Sequence, residues 1–389
     1  MSRNEERLRS WAVERYLKGE KPATICRSLG RSRRWFYKWL RRSKSNVVDW
    51  YVEKSRKRYG YPDRTPQEIE AAVKMVRLEL YNQGLFCGSQ AIRGELEDLG
   101  IKTLPSLRTI GRILERNDLT HRRIGRYQAK GTPYPKLEGY ALNQVQQADW
   151  VGPLYLLGPI RCYSLNVVDL ATGRCGVQPS LARDGHSVFN AFWAIWKRLG
   201  IPENLQVDND MSFYGSPTHP RGMGPLIRLC LQQNVELWFI PPSEPWRNGV
   251  VEKFNDHHQQ KFWRKVSMEG EKELFEESIG FENRHNSRYR YTKLGGRTPD
   301  QVMEALGEIP RFPAETEPPR HPLKKPTHGK YHVVRLIRSD CRLDVFGEKF
   351  KVPKQLQYEY VVGTVNVRSQ KLEIIHDGLK VEEFDYKLC

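Results

Sequence analysis

Residues 201–210 read IPENLQVDND, a short alternating run that ends on two acids flanking Asn209. Two carboxylates at a strand exit repel one another and have no evident capping role. They are either a solvated turn or half of a site for something positively charged. The flanks fix the class of fold. SVFNAFWAIWKRLG (187–200) reads as a helix before it, PLIRLCLQQN (225–234) as a helix after it, VELWFIPP (235–242) as a strand and NGVVEKFNDHHQQKFWRK (248–265) as a helix. Upstream, NQVQQADWVG, PLYLLG, CYSLNVVDLATG and CGVQPS carry strand signals. Strands followed by alternating helices and strands predict a mixed α/β sheet covered by helices over 141–266.

Further out, the chain changes character. Residues 1–45 read as three short helices, with Gly19 and Gly30 as breaks and Ser32 as N-cap of the last, RRWFYKWLRR. There Trp35, Phe36, Trp39 and Leu40 form an apolar stripe, leaving Arg33, Arg34, Tyr37, Lys38 and Arg41 to face outward. That is a helix-turn-helix pattern with a recognition helix able to offer donors to phosphates and base edges; a solvated basic helix is the plain alternative. After a connector (46–64), residues 65–119 repeat the theme. Thr65-Pro66-Gln67-Glu68 has capping-box form, Ile69, Val73, Val76 and Leu80 recur at helical spacing, and Ser89 and Ser106 precede two more helices. The last of these would bury Ile110, Ile113 and Leu114 and present Arg108, Thr109, Arg112 and Arg116. A second DNA-binding unit is expected here, with a purely structural helical bundle as the alternative.

Residues 120–140 read as an extended basic linker whose Arg122 and Arg123 can follow a phosphate backbone. A helical extension (267–309) and a stiff linker with six prolines (310–329) follow. The tail, 330–389, alternates as strands do and predicts a small β-barrel.

Among the 389 residues, 64 Lys and Arg against 46 acids give a net charge of +18 and a pI near 9.6. Fourteen of those bases, with four Glu, fall in residues 1–44. The excess points to a polyanionic partner, nucleic acid first. Seven scattered cysteines without a CxxC pair argue against a disulfide framework or a cysteine zinc site. With no apolar leader or membrane-length run, the expected location is the cytoplasm, the bacterial cytosol or nucleoid.

Three acids stand at element ends in the α/β region: Asp149, Asp208 and Glu252. Strand ends and the start of a crossing helix converge at one edge of such a sheet. Clustered carboxylates need cations, and oxygen-only ligation selects hard ions, Mg²⁺ with Mn²⁺ as substitute. Two such ions suit an in-line phosphoryl displacement. Asp169, ending VVD, is a further acid, with a structural role expected. His257 and His258 are expected to be solvated or DNA-facing and not a paired metal site. Lys253, Lys261 and Lys265 could meet phosphates or solvent.

QADWVGPL, NVVDLATG, IPENLQVDND and PWRNGVVEKFN, in that order, resemble the catalytic core of DDE transposases and retroviral integrases. NRHNSRYRYTKLGGRTPDQ resembles the segment that follows that core in insertion-sequence transposases. The resemblance covers about 140–300 and implies a ribonuclease-H-like fold, with Asp149, Asp208 and Glu252 as the catalytic, metal-binding acids. It also implies end processing and strand transfer at the terminal repeats of a mobile element, by a protein at least dimeric on DNA. Two departures stand out. Asp210 replaces the glycine usual after DN, and 43 residues separate Asp208 from Glu252, with the excess expected in MSFYGSPTHPRGMG (211–224). No counterpart of the retroviral His/Cys zinc domain precedes the core, which favours a bacterial-type transposase. A structure-specific nuclease and a regulator that keeps only DNA binding are the competing readings.

Overall fold

Ser32 does cap a helix: its side chain accepts from Trp35 N, and Arg33–Ser43 follows as α3. Before it lie α1 (Ser2–Leu17) and α2 (Pro22–Leu29), the second opened by Pro22 and closed by Gly30 at φ 61. Ala12, Val13, Ile25, Cys26, Phe36 and Leu40 form a common core. Trp35, expected within the apolar stripe, is only half-buried.

The computed structural model describes residues 2–45, 47–53, 65–120, 133–216, 218–219, 221–315, 317–319 and 323–389. They fall into two compact units, Met1–Arg64 and Thr65–Cys389. Among the described residues no helix is long and apolar enough to cross a membrane.

The larger unit opens with α4 (Gln67–Asn82), α5 (Ser89–Asp98) and α6 (Leu107–Arg116). Ser106 caps α6, but the capping box expected at Thr65 does not form, because Pro66 occupies the N-cap position without a side-chain bond. Next come β1 (Val145–Tyr155), β2 (Arg161–Asp169), β3 (Cys175–Ser180), α7 (Gly185–Leu199) and β4 (Asn204–Val207). The chain continues through α8 (Met211–Tyr214), α9 (Pro225–Gln232), β5 (Glu236–Phe239), α10 (Gly249–His258), a π-helical turn (Gln259–Trp263), α11 (Glu271–Arg288) and α12 (Pro299–Leu306). The last strands are β6 (Lys330–Leu336), β7 (Arg342–Val345), β8 (Glu348–Lys351), β9 (Tyr360–Asn366), β10 (Lys371–His376) and β11 (Leu379–Asp385).

Nine strands form one sheet in the order β11-β10-β9-β6-β5-β4-β1-β2-β3, and β7 pairs only with β8. The β1–β4, β4–β5 and β5–β6 pairs are parallel, the others antiparallel. The mixed α/β sheet is thus present, whereas the separate C-terminal barrel is not: the sheet does not close. β6 instead completes the edge of β5, with Leu237 opposite Tyr331 and Phe239 opposite Val333. Alternation in the tail reports strands with one buried face, and it is silent on whether they pair among themselves or continue an existing edge. Burial favoured the latter, since Tyr331, Val333, Val361 and Val365 join the core of α7 and α9.

Alternation along β2 distributes its side chains to two cores. Tyr163, Leu165 and Val167 pack toward α7 and α9, while Cys162 and Val168 join α10, α11 and the three helices α4–α6. Ser164, Asn166 and Asp149, the cross-strand partner of Asn166, belong to the second face, under α10. The described parts of 310–329 lie against this body: Ile201 N donates to Arg311 O, and Arg228 donates to Leu323 O.

Candidate active site

Buried side-chain amides hold the ends of β1 and β4 against the start of α10. Gln147, on β1, accepts at Oε1 from Val250 N at 3.0 Å and Val251 N at 3.2 Å, two of the N–H groups that a helix start leaves without partners. Asn248 donates to the Ala148 carbonyl at 2.9 Å, and Gln206 on β4 donates to Arg247 O at 3.0 Å and to Asn248 Oδ1 at 3.3 Å. These tethers fix the start of α10, whose first turn carries Glu252, near enough to Asp149 of β1 and to Asp208, one residue past β4, for their charges to interact.

All three predicted acids are half-buried; the charges of Asp208 and Glu252 act on Asp149, and that of Asp208 acts on Glu252. Burial pushes the Asp149 carboxyl up to about 7, helped by the negative charges of Asp208 and Glu252 and opposed by the Trp150 N–H and Arg183. Burial likewise raises Asp208, where the Asp210 N–H bond pulls down, the Asp210 charge pushes up and Arg183 pulls down. Glu252 is raised by burial, then by Asp208 and Asp256. Such a set of oxygen donors suits a hard divalent cation, whose charge would remove the repulsion. Among the described residues no three His, Cys, Asp or Glu groups stand close enough together to hold a metal ion as they are.

Asp149 is oriented by a polar chain. Asn255 Nδ2 donates to Asp149 Oδ2 at 2.7 Å, Asn166 Nδ2 donates to Asn255 Oδ1 at 2.8 Å, and Ser164 Oγ donates to Asn166 Oδ1 at 2.8 Å. Gln147, Asn166, Gln206 and Asn248 were not expected at the site. For the first three the signal was present, as amides at buried strand positions, as in QQAD and SLNVVD; Asn248, in the turn before α10, carries no such signal.

The two acids of VDND differ. Asp210 N-caps α8 by accepting from Ser212 N at 2.9 Å, and its other oxygen pairs with Arg183. Asp208 keeps one bond, accepted from Asp210 N at 3.1 Å. Asp169 is fully buried but accepts from Asn143 N, Thr172 N and Thr172 Oγ1. The histidines are not solvated. His258 is fully buried, hydrogen-bonded to Asn166, and lowered by burial to about 3; His257 packs between Phe86 and Tyr291 and is lowered by burial to about 4. Lys253 is exposed and pairs with Asp256.

The loop 211–224 reaches the tail hairpin: Tyr214 stacks on Phe346 with centroids 4.5 Å apart, and Arg221 pairs with Glu348. Gly224 has no room for a side chain, since a Cβ there would stand 2.5 Å from the Tyr214 carbonyl carbon.

In α3, Arg33, Arg34, Tyr37, Lys38 and Arg41 are all exposed, while Phe36, Trp39 and Leu40 are buried. In α6, Arg108 and Arg112 are exposed along an open cavity of about 760 Å³, Thr109 is bonded to the capping Ser106, and Arg116 is engaged by Glu70. Arg122 and Arg123 lie outside the described residues.

Residues 1–49 match the family model of a homeodomain-like domain, in keeping with the helix-turn-helix pattern of α1–α3. No curated protein matches the chain. Among solved structures, a simian T-cell lymphotropic virus intasome in complex with the PP2A regulatory subunit B56 gamma is similar at 14% identity and a TM-score of 0.37. That likeness covers 82% of this chain and 97% of the other. The HTLV-2 integrase catalytic core domain in complex with magnesium is similar at 16% identity and a TM-score of 0.32, over 43% of this chain and 99% of the other.

Proposed function

We propose that this protein is a DNA transposase of the DDE type, which binds the terminal inverted repeats of a mobile element, processes their 3′ ends and transfers them into target DNA. The observation that carries this reading is the carboxylate trio Asp149, Asp208 and Glu252, all half-buried and all raised by burial, with the charges of Asp208 and Glu252 pushing Asp149 up further and that of Asp208 pushing Glu252 up. Buried acids with few donors between them are poor structural elements and good cation ligands. The N-terminal domain supplies DNA binding, and the four ordered phrases that resemble the DDE core supply the reaction class.

In this reading Asp149, Asp208 and Glu252 are the catalytic residues and hold two Mg²⁺ ions, which Mn²⁺ can replace. When bound, the ions supply neutralisation of charge and activation of the attacking oxygen, water first and a DNA 3′-hydroxyl second. The chain's own groups do the positioning. Asn255 fixes one oxygen of Asp149, Gln147 and Asn248 fix the start of α10, and Arg183 moderates the negative field. Arg33, Arg34, Tyr37, Lys38 and Arg41 of α3, with Arg108, Thr109 and Arg112 of α6 and Arg122 and Arg123 of the linker, contact the DNA. Two ends must be joined together, so the active form is at least a dimer on DNA, in the cytoplasm.

The test is a joining assay with pre-cleaved terminal-repeat DNA and a supercoiled target, in EDTA and then with each metal restored. Joining with Mg²⁺ or Mn²⁺, none with Ca²⁺, and loss in Asp149→Asn, Asp208→Asn and Glu252→Gln with end binding intact is the expected result. Efficient joining in EDTA overturns the two-metal mechanism. Cleavage without a joined product makes the protein a nuclease, and binding without any chemistry makes it a regulator.

A further inference from the structure

Asp208 stands just beyond β4, where the ladder to β5 has ended with Val207 opposite Phe239. The next residue supplies the hold that the ladder no longer gives. Asn209 donates from Nδ2 to the Ile240 carbonyl at the exit of β5, and accepts at Oδ1 from Arg335 Nη2 at 2.8 Å. Arg335 lies on β6, 126 residues away in sequence, and is 5% exposed. Its guanidinium also donates to Ile240 O at 3.2 Å, to Val334 O at 2.9 Å and to Asp344 O at 2.9 Å.

All four acceptors are neutral, so this buried cation is not half of an ion pair. Burial draws its pKa down to about 10, which leaves it charged at neutral pH. Removing a charge from water for neutral acceptors alone is a poor way to add stability. What a guanidinium gives that an apolar side chain cannot is a rigid planar fork that fixes several acceptors relative to one another. Here it fixes the end of β5, the start of the tail hairpin and the residue beside Asp208. A ligand carboxylate has to be held to within roughly 0.5 Å by such supporting contacts.

We propose that Arg335 is a positioning residue for the Asp208 carboxylate, acting through Asn209, so that the C-terminal strands set the geometry of the acidic site. The inference rests on reading Asp208 as a metal-binding acid. It explains why the tail completes the edge of the core sheet: from a separate barrel, Arg335 could not reach Asn209.

The experiment uses the full chain with Arg335→Lys, Asn209→Ala and the double variant. Asn209→Ala is the decisive one, because it leaves the bonds of Arg335 to Ile240, Val334 and Asp344 in place and so spares the strand packing. Amide hydrogen exchange over 208–214, Mn²⁺ binding by electron paramagnetic resonance, and kcat and KM for joining are measured beside thermal unfolding. Expected are faster exchange over 208–214 with β1 and β2 unchanged, a Mn²⁺ half-saturation raised about tenfold, and a lower kcat at unchanged KM for DNA. The double variant should be no worse than the worse single one. Asn209→Ala with wild-type exchange and wild-type Mn²⁺ binding overturns the proposal, even if Arg335→Lys fails to fold. If the wild type shows no Mn²⁺ binding that Asp208→Asn removes, the metal reading falls; faster exchange over 208–214 in Asn209→Ala then still supports the clamp, and unchanged exchange overturns it.

Discussion

At the end of β2, Asp169 is fully buried and accepts hydrogen bonds from Asn143 N at 3.0 Å, Thr172 N at 2.9 Å and Thr172 Oγ1 at 2.6 Å. On the neighbouring strand, Asp149 is buried less, yet it faces the charges of Asp208 and Glu252 and is raised to about 7. Burial raises both carboxyls, but at Asp169 the opposing influences are donors that favour the charged form. Asp169 closes a turn and needs nothing more. Asp149 has Asn255 and the Trp150 N–H against two like charges, an arrangement that a cation would complete. The number of donors around a buried acid, more than its depth, separates the satisfied one from the one that a cation would complete.

The contrast can be broken most sharply by substitution. Asp149→Asn should remove joining to below detection while the protein stays folded and bound to DNA. Asp169→Ala should retain the chemistry per folded molecule. Retained joining in the first variant would dissolve the distinction.

Stability should respond in the opposite sense. Asp169→Ala leaves the Asn143 and Thr172 N–H groups buried without an acceptor, at roughly 1–3 kcal/mol for each. Urea unfolding should show a large drop in midpoint. Asp149→Asn relieves repulsion and should be neutral or stabilising in EDTA.

A smaller effect follows pH. The folded-state pKa of Asp149 lies above its unfolded value, so between about pH 4 and 7 the folded chain holds the extra proton. This contribution is complete below pH 4 and is lost as pH rises through 7, a change on the order of 4 kcal/mol before the solvent screening that a half-buried site allows. Unfolding temperatures from pH 4 to 7.5 in EDTA should diverge between wild type and Asp149→Asn, and saturating Mg²⁺ should restore wild-type stability at the upper end. Comparing the two proteins cancels His257, His258 and His285, whose lowered pKa values act in the opposite direction.

The smallest effect belongs to Asp210→Asn. Asparagine still caps α8, so only the Arg183 pair is lost, and a partly exposed pair contributes about 0.2–1 kcal/mol. Joining should persist. A dead Asp210→Asn beside an active Asp208→Asn would reverse the assignment within VDND.

Local chemistry made much of this legible in advance. Ser32 and Ser106 announced helix starts and alternation announced strands, and the three acids do lie at strand and helix ends, on or next to β1, β4 and α10. The same local signals also misled. Thr298-Pro299-Asp300-Gln301 forms a complete capping box on α12, while Thr65-Pro66-Gln67-Glu68, of the same pattern, forms none. A tetrapeptide offers a cap, and its surroundings decide whether the cap is made.

What the sequence determined by itself was the kind of element at each position and the residue types available to a site, because both depend on contacts within a few residues. Only the tertiary structure decided which edge β6 would join, and that Arg335 would reach the residue beside Asp208. Periodicity records that a strand has a buried face, but its partner is chosen by competition among distant edges for hydrogen bonds and apolar cover. That competition is a property of the whole chain, and no window of sequence contains it.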